Sequence, residues 1–197
     1  MYVLGLTGPM ASGKSTVAQM FREAGAEVWD ADVAVHHLYD KNKGLQGELV
    51  ALLGDDVWDT LMPKERLNRS KRVGKIRENP DLLAKIEEIV FPYLVPAWLK
   101  WVKQRKSQLL ILEAPLLFEA ELAKYCNTIV TCAAPEDVRK ERALARNNVD
   151  EVWWNLVTAQ QMTAEDYAAQ SDRVLDCVEM EVPRAFVDEM KQKYLDI

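Results

Sequence analysis

The stretch Val3-Leu4-Gly5-Leu6-Thr7-Gly8-Pro9-Met10-Ala11-Ser12-Gly13-Lys14-Ser15-Thr16 decides how this chain is read. It fits G-x-x-x-x-G-K-[ST], with Gly8, Gly13, Lys14 and Ser15 on the fixed positions. An apolar run, Tyr2 to Leu6, precedes it as a buried strand does. Val17, Ala18, Met20, Phe21 and Ala24 follow with helical spacing. Gly8 and Gly13 allow backbone torsions closed to other residues. The loop can then turn its N–H groups inward, and the helix N-terminus adds its positive dipole end. The cradle comprises Ala11, Ser12, Gly13, Lys14, Ser15 and Thr16. Lys14 is expected to reach the β- and γ-phosphates, and the Ser15 hydroxyl to sit on Mg²⁺. A chance Gly/Ser turn is the alternative, and the flanking strand and helix argue against it. The sequence therefore predicts a nucleoside-triphosphate site.

The bulk properties restrict what surrounds that site. With 197 residues, 49% hydrophobic and 28% charged, the chain is long enough for one domain with a substantial core. A net charge of −6 and a pI near 5.1 argue against nucleic-acid or anionic-membrane binding as the main role. No apolar run approaches the length of a membrane span, and Met1 leads into the first strand without the basic region of a signal peptide. Cys126, Cys132 and Cys177 are unevenly spaced and read as buried thiols in a reducing compartment, so the expected location is cytoplasmic.

After the loop helix, Gly25 has the character of a helix C-terminal glycine. Ala26 to Trp29 is a short second strand ending in Asp30-Ala31-Asp32. Ligand groups in parallel sheets come from strand carboxyl ends, which puts Asp30 and Asp32 on the edge of the phosphate loop. Helices are expected over Ala31–Tyr39, Leu45–Leu53 and Leu82–Val90, with Asp55 to Pro63 irregular. Pro92 should end the last of these and open another running to Lys106, with Trp98 and Trp101 as core. Residues 40–106 thus carry helices and no convincing strand. The basic run Lys64 to Arg77 reads either as a solvated face or as a site for a phosphate-bearing substrate.

Beyond it, Leu109–Leu112 is a buried strand ending at Glu113, a position suited to a magnesium-side carboxylate. Thr128–Ala133 is the fourth strand and Val174–Cys177 the fifth. Pro135 starts a helix on which Arg139, Arg142 and Arg146 fall within about 60° of one another. They form either a cationic stripe on a lid or a solvated face. Asn147, Asn148 and Asp150 make the next turn, followed by helices over Trp153–Met162, Ala164–Gln170 and Arg184–Tyr194. Of the acids, Asp32 is best placed to orient an acceptor and take its proton, with Asp30 as a second candidate; the alternative for both is helix capping.

With these pieces placed, the chain resembles the dephospho-coenzyme A kinase family over nearly its whole length. The match is carried by the phosphate loop, Trp29-Asp30-Ala31-Asp32, Leu67-Asn68-Arg69, Pro115-Leu116-Leu117-Phe118-Glu119, Arg142, Arg146, Gln161 and Ser171-Asp172-Arg173-Val174. The resemblance implies an α/β P-loop kinase core with a five-stranded parallel sheet, a helical acceptor-binding insertion and a helical lid. On this reading the core comprises 1–39, 107–138 and 171–197, the insertion 40–106 and the lid 139–170. It implies transfer of the ATP γ-phosphate, with Mg²⁺, to the ribose 3′-hydroxyl of dephospho-coenzyme A, a step of coenzyme A biosynthesis. Asp32 would be the general base, Lys14 the phosphate clamp, Ser15 the magnesium ligand and Arg142 a lid arginine. Arg69, Pro115 and Leu116 would lie on the acceptor side. The family's usual His-Pro is Phe91-Pro92 here, an arginine is replaced by His36 or His37, an Asn by Cys177 and a basic residue by Tyr167. The partner is a small molecule, with no nucleic acid or membrane and a monomer or weak homo-oligomer expected. Two other readings are a P-loop kinase for a nucleoside, nucleotide or sugar acid, and a nucleotide-binding regulator without turnover.

Overall fold

The computed structural model describes residues 1–59, 66–146 and 149–196. In chain order its elements are β1 (Tyr2–Thr7), α1 (Lys14–Glu23), β2 (Glu27–Asp30), α2 (Ala31–Lys41), α3 (Lys43–Leu53), β3 (Trp58–Asp59), β4 (Arg66–Leu67), α4 (Arg69–Glu78), α5 (Asp81–Val102), β5 (Leu109–Glu113), β6 (Thr128–Ala133), α6 (Glu136–Leu144), α7 (Glu151–Thr158), α8 (Ala164–Ala169), β7 (Arg173–Asp176) and α9 (Glu181–Tyr194). They form two compact units, Met1–Ala31 with Lys100–Ile197 and Asp32–Leu99.

The first unit holds the expected five-stranded parallel sheet, in the order β2-β5-β1-β6-β7. Residues Leu109 to Glu113 are all buried, as a central strand covered on both faces requires, and this explains their unbroken apolar run. The connection from β1 leads to β2 on one side of the sheet, while that from β6 leads to β7 on the other. In open α/β sheets ligands bind outside the strand ends where the connections diverge in this way. One core cluster joins Leu4, Leu6, Ile111 and Val130 of the sheet to Val17, Ala18 and Phe21 of α1 and Phe186, Val187 and Met190 of α9. The Phe21 and Phe186 rings meet edge to face, 6.1 Å apart at 86°. Phe21 is fully buried. Gly25, at φ +99°, ends α1 by donating to the Arg22 carbonyl.

The second unit is built mainly from helices around Tyr39, Leu45, Leu49, Val57, Ile76, Ile86, Leu94 and Trp98. Side chains of Asn42 and Asn68 cap α3 and α4 by accepting from the Leu45 and Lys71 N–H groups. The structure corrects three expectations about elements. Residues 40–106 contain strands after all, a two-residue antiparallel pair, β3 with β4. Strands that short carry no readable alternation. Pro92 does not end a helix: α5 runs continuously through Pro92 and Pro96. Both prolines and Glu88 are exposed, so the carbonyls deprived of a donor, those of Glu88 and Pro92, lie on the side where water can replace it. Finally, α6 stops at Leu144, which leaves Arg146 outside the helical stripe. Lys64, Glu65, Asn147 and Asn148 lie outside the described residues, as do residues 60–63 of the predicted irregular stretch. Among the described residues no helix is long and apolar enough to cross a membrane.

Phe21→Ala should destabilise the protein by about 3–5 kcal/mol, the cost of deleting a buried aromatic ring. Urea denaturation followed by circular dichroism should report this as a lower midpoint at unchanged slope.

Candidate active site

The site begins where β1 ends. Leu6 pairs with Glu113, the last residue of β5, and with Val130 of β6, so the chain leaving Thr7 rises between the end of β5 and the last residues of β6. Gly8 turns it at φ +134°, with its backbone so close to the Cys132 carbonyl that a side-chain carbon there would collide. Gly13, at φ +104°, brings the chain back as the residue before α1, where an added carbon would lie 2.9 Å from Cys177 Cβ. No side chain caps α1, and its first turn contains no acidic residue. Neither a cap nor an acid of its own first turn therefore offsets the positive end of α1.

Between the glycines, Ala11 holds a left-handed conformation at φ +61°, which costs about 1–2 kcal/mol for a residue with a Cβ. It is buried in a small cluster with Ala143 and Trp154, against which Met10 and Val149 also pack. The two backbone groups of Met10 are both bonded. Its N–H donates to Gln161 Oε1 at 2.9 Å, and its carbonyl accepts from Arg139 Nη1 at 3.3 Å. Lys14 is buried and donates its ammonium to the carbonyls of Gly8 at 2.7 Å and Pro9 at 2.9 Å. The cation is thus held over the loop by the backbone that precedes it. Ser12 is fully buried, with a hydroxyl that has no partner among the described residues. Ser15 and Thr16 are exposed at the start of α1.

Ser15 Oγ donates to Glu113 Oε1 at 2.8 Å, tying the loop to the carboxyl end of β5. The other carboxylate oxygen, Oε2, is buried without a partner among the described residues. Burial pushes the Glu113 carboxyl above the usual carboxylate range, and Asp30 adds to this; the Ser15 hydrogen bond, Lys14 and Arg22 oppose it. Asp30 pairs in register with Glu113, so two acids stand side by side on adjacent strand ends. Among the described residues no group of three or more His, Cys, Asp or Glu side chains forms a metal cage. A magnesium ion does not need one: it keeps several waters and takes one or two carboxylates together with substrate phosphates. The half-satisfied Glu113 carboxylate beside the Ser15 hydroxyl fits that requirement.

The remaining predicted residues fall as follows. Arg142 of α6 donates from Nη2 to the carbonyls of Cys177 and Val178, both at 2.9 Å, and its buried Nη1 has no partner among the described residues. Pro115 contributes its carbonyl, which accepts from Thr7 Oγ1 at 3.3 Å and from the Tyr167 hydroxyl at 3.2 Å. Its contacts in this unit therefore anchor β1 and α8. Leu116 is half-buried, its carbonyl accepting from the Ala120 N–H. Asp32 is the second residue of α2 and opens the second unit, where it is exposed. Arg69 is the first residue of α4 and is also exposed. Nearby, Arg72 donates to the Tyr39 hydroxyl at 2.8 Å. Two features of the site have no local signal in the sequence, the bond between Ser15 and Glu113 and the hold of Arg139 and Trp154 on the loop. Glu113 stands where a magnesium-side carboxylate is expected, but nothing local pairs it with Ser15, 98 residues earlier. Arg139 and Trp154 carried no signal that they hold the loop.

The chain matches the family model described as dephospho-CoA kinase over residues 2–181. A dephospho-CoA kinase of Ruegeria pomeroyi is 32% identical over 187 residues, covering 95% of this chain and 92% of the relative. One from Bartonella henselae is 32% identical over 179 residues, 89% of each chain. Among solved structures, a Thermus thermophilus protein superposes with a TM-score of 0.76 at 26% identity, covering 97% of both chains. The Campylobacter jejuni dephospho-CoA kinase shares the fold, with a TM-score of 0.65 at 17% identity over 97% of this chain and 96% of that one.

The raised Glu113 pKa has a consequence for stability. The native state binds a proton that the unfolded state has released, so this contribution is fully present below the ordinary carboxylate value and is lost as pH rises through the folded value. Thermal melts on either side of that window should show a smaller pH-dependent drop in Tm for Glu113→Gln than for the wild type.

Proposed function

This chain belongs to the dephospho-CoA kinase family, and from that premise we propose that it transfers the γ-phosphate of ATP to the ribose 3′-hydroxyl of dephospho-coenzyme A, with Asp32 as general base. The observation that carries the proposal is the family match over residues 2–181, which contains both the complete phosphate loop and Asp32. Family membership makes the chain an ATP-dependent kinase of dephospho-CoA.

The donor half of the mechanism follows from the loop. Gly8 to Thr16 would wrap the triphosphate with backbone N–H groups and the uncapped end of α1. Lys14, already desolvated, would exchange the carbonyls of Gly8 and Pro9 for phosphate oxygens and so stabilise charge on the group in flight. Ser15 and Glu113 would hold Mg²⁺, Ser15 directly and Glu113 through Oε2 or a bound water. The ion would neutralise charge on the β- and γ-phosphates. Arg142, with a buried guanidinium nitrogen not yet used, would add positive charge as transfer proceeds.

The acceptor half requires a base for the hydroxyl proton. Asp32 is an exposed carboxylate at the second position of α2, two residues after β2 in the chain. Transition states of phosphoryl transfer are loose, so the base mainly orients the hydroxyl and takes its proton late. Arg69, with the basic residues of α4, would bind the anionic part of the acceptor; Pro115 and Leu116 would line it.

Acceptor-dependent ADP release measured with ATP, Mg²⁺ and dephospho-coenzyme A should be robust. Rates that do not exceed the acceptor-free background would overturn the proposal, and a panel of nucleosides and sugar acids would then reveal a different acceptor. In the same assay Asp32→Asn should lower turnover by about 10²-fold or more while ATP binding by titration is retained, the scale of general-base loss. Near-normal turnover in that variant would remove Asp32 from its role.

A further inference from the structure

The loop's own bonds, from Ser12 N–H to the Pro9 carbonyl and from the Lys14 ammonium to the Gly8 and Pro9 carbonyls, leave the backbone of Met10 to be held from elsewhere. The loop's only described residue with a Cβ at positive φ is Ala11, and such a conformation persists only where its surroundings enforce it. Those surroundings come from far along the chain. Gln161, in the turn after α7, accepts from the Met10 N–H, and Arg139 of α6 donates to the Met10 carbonyl. Arg139 is itself fixed, since its Nε donates to the Ala134 carbonyl at 3.2 Å and its guanidinium lies over the Trp154 ring, 5.5 Å from the centroid. Trp154 and Ala143 in turn bury Ala11. Both backbone groups of one loop residue, and the side chain of the next, are thus gripped by the segment 139–161.

We infer that Gln161, Arg139 and Trp154 are positioning residues for ATP: they hold Met10 and Ala11 so that the glycine loop and the N-terminus of α1 present their N–H groups to the triphosphate. This rests on the reading of the loop as the ATP site. None of the three need touch the nucleotide. Gln161 acts through a single hydrogen bond at the loop tip, Arg139 through its bond to the Met10 carbonyl, and Arg139 with Trp154 through the stack that seats Ala11. The arrangement also ties any displacement of α6 or α7 to the loop, because Met10 cannot keep both bonds if either helix moves. A side chain that merely filled space would not satisfy both polar groups of one residue.

The test uses the full chain and reads ATP binding separately from transfer. Gln161→Ala should weaken Mg·ATP binding by calorimetry, and raise the KM for ATP, by about three- to tenfold, the effect of one hydrogen bond. The KM for dephospho-coenzyme A should stay unchanged, with Tm within a few degrees of wild type. Gln161→Glu, whose carboxylate can accept from the same N–H, should restore ATP affinity. Arg139→Gln should give the same ATP-specific loss. In an Ala11→Gly background the Gln161→Ala penalty should shrink, since glycine adopts the positive φ unaided. Unchanged ATP affinity in either Gln161→Ala or Arg139→Gln would overturn the inference, as would a loss confined to Tm or to a Gln161→Glu variant as weak as Gln161→Ala. Wild-type protein that binds ATP but releases no acceptor-dependent ADP would overturn the proposed activity alone. Wild-type protein that does not bind ATP would overturn both.

Discussion

The parallel pairing of β1 with β5 on one side and β6 on the other is the constraint on which the site depends. Because Leu6 is in register with Glu113, the last residue of β5, and with Val130 inside β6, the phosphate loop rises between the end of β5 and the last residues of β6. A slip of one residue in β5 would turn Glu113 to the opposite face of the sheet and take its carboxylate away from Ser15. The close approach of Gly8 to the Cys132 carbonyl depends on the same register, as does the seat of Gly13 against Cys177 at the end of β7. The loop glycines are therefore demanded by neighbouring strands as much as by a ligand.

Around that frame the protein keeps polar groups where an apolar core would be more stable. Lys14 is buried and pairs its ammonium with two loop carbonyls, while Glu113 is buried with one oxygen satisfied and one not. An unsatisfied buried acceptor costs about 1–3 kcal/mol. Ser12 Oγ and Arg142 Nη1 are left in the same condition. Ala11 adds backbone strain at the same place. Concentration of these costs around one loop is the pattern of a site prepared for a ligand that supplies the missing partners, with stability conceded locally.

Local signals carried the reading where the physics was local. Gly8, Gly13, Lys14 and Ser15 identify the loop because a phosphate cradle needs those torsions, that cation and that hydroxyl within eight residues. The apolar run Leu109–Leu112 reads as a buried strand because both its faces are covered. Element ends were harder. Pro92 and Pro96 would break an isolated helix, yet the exposed side of α5 tolerates them. The pair β3 and β4 is too short to show a period, and the spacing of Arg146 continued a helix that stops at Leu144.

The sequence by itself determined that a five-stranded parallel sheet carries a loop of the triphosphate-binding pattern, and that the loop stands at the end of the first strand. Periodicity and glycine placement encode both within short windows. Only the tertiary structure decided which distant residues complete the loop. The Ser15–Glu113 bond spans 98 residues, the Met10–Arg139 bond 129 and the Met10–Gln161 bond 151. Such pairings are set by strand register and by how α6 and α7 pack against each other and against the loop. A side chain's partner across those distances leaves no mark on its neighbours in sequence.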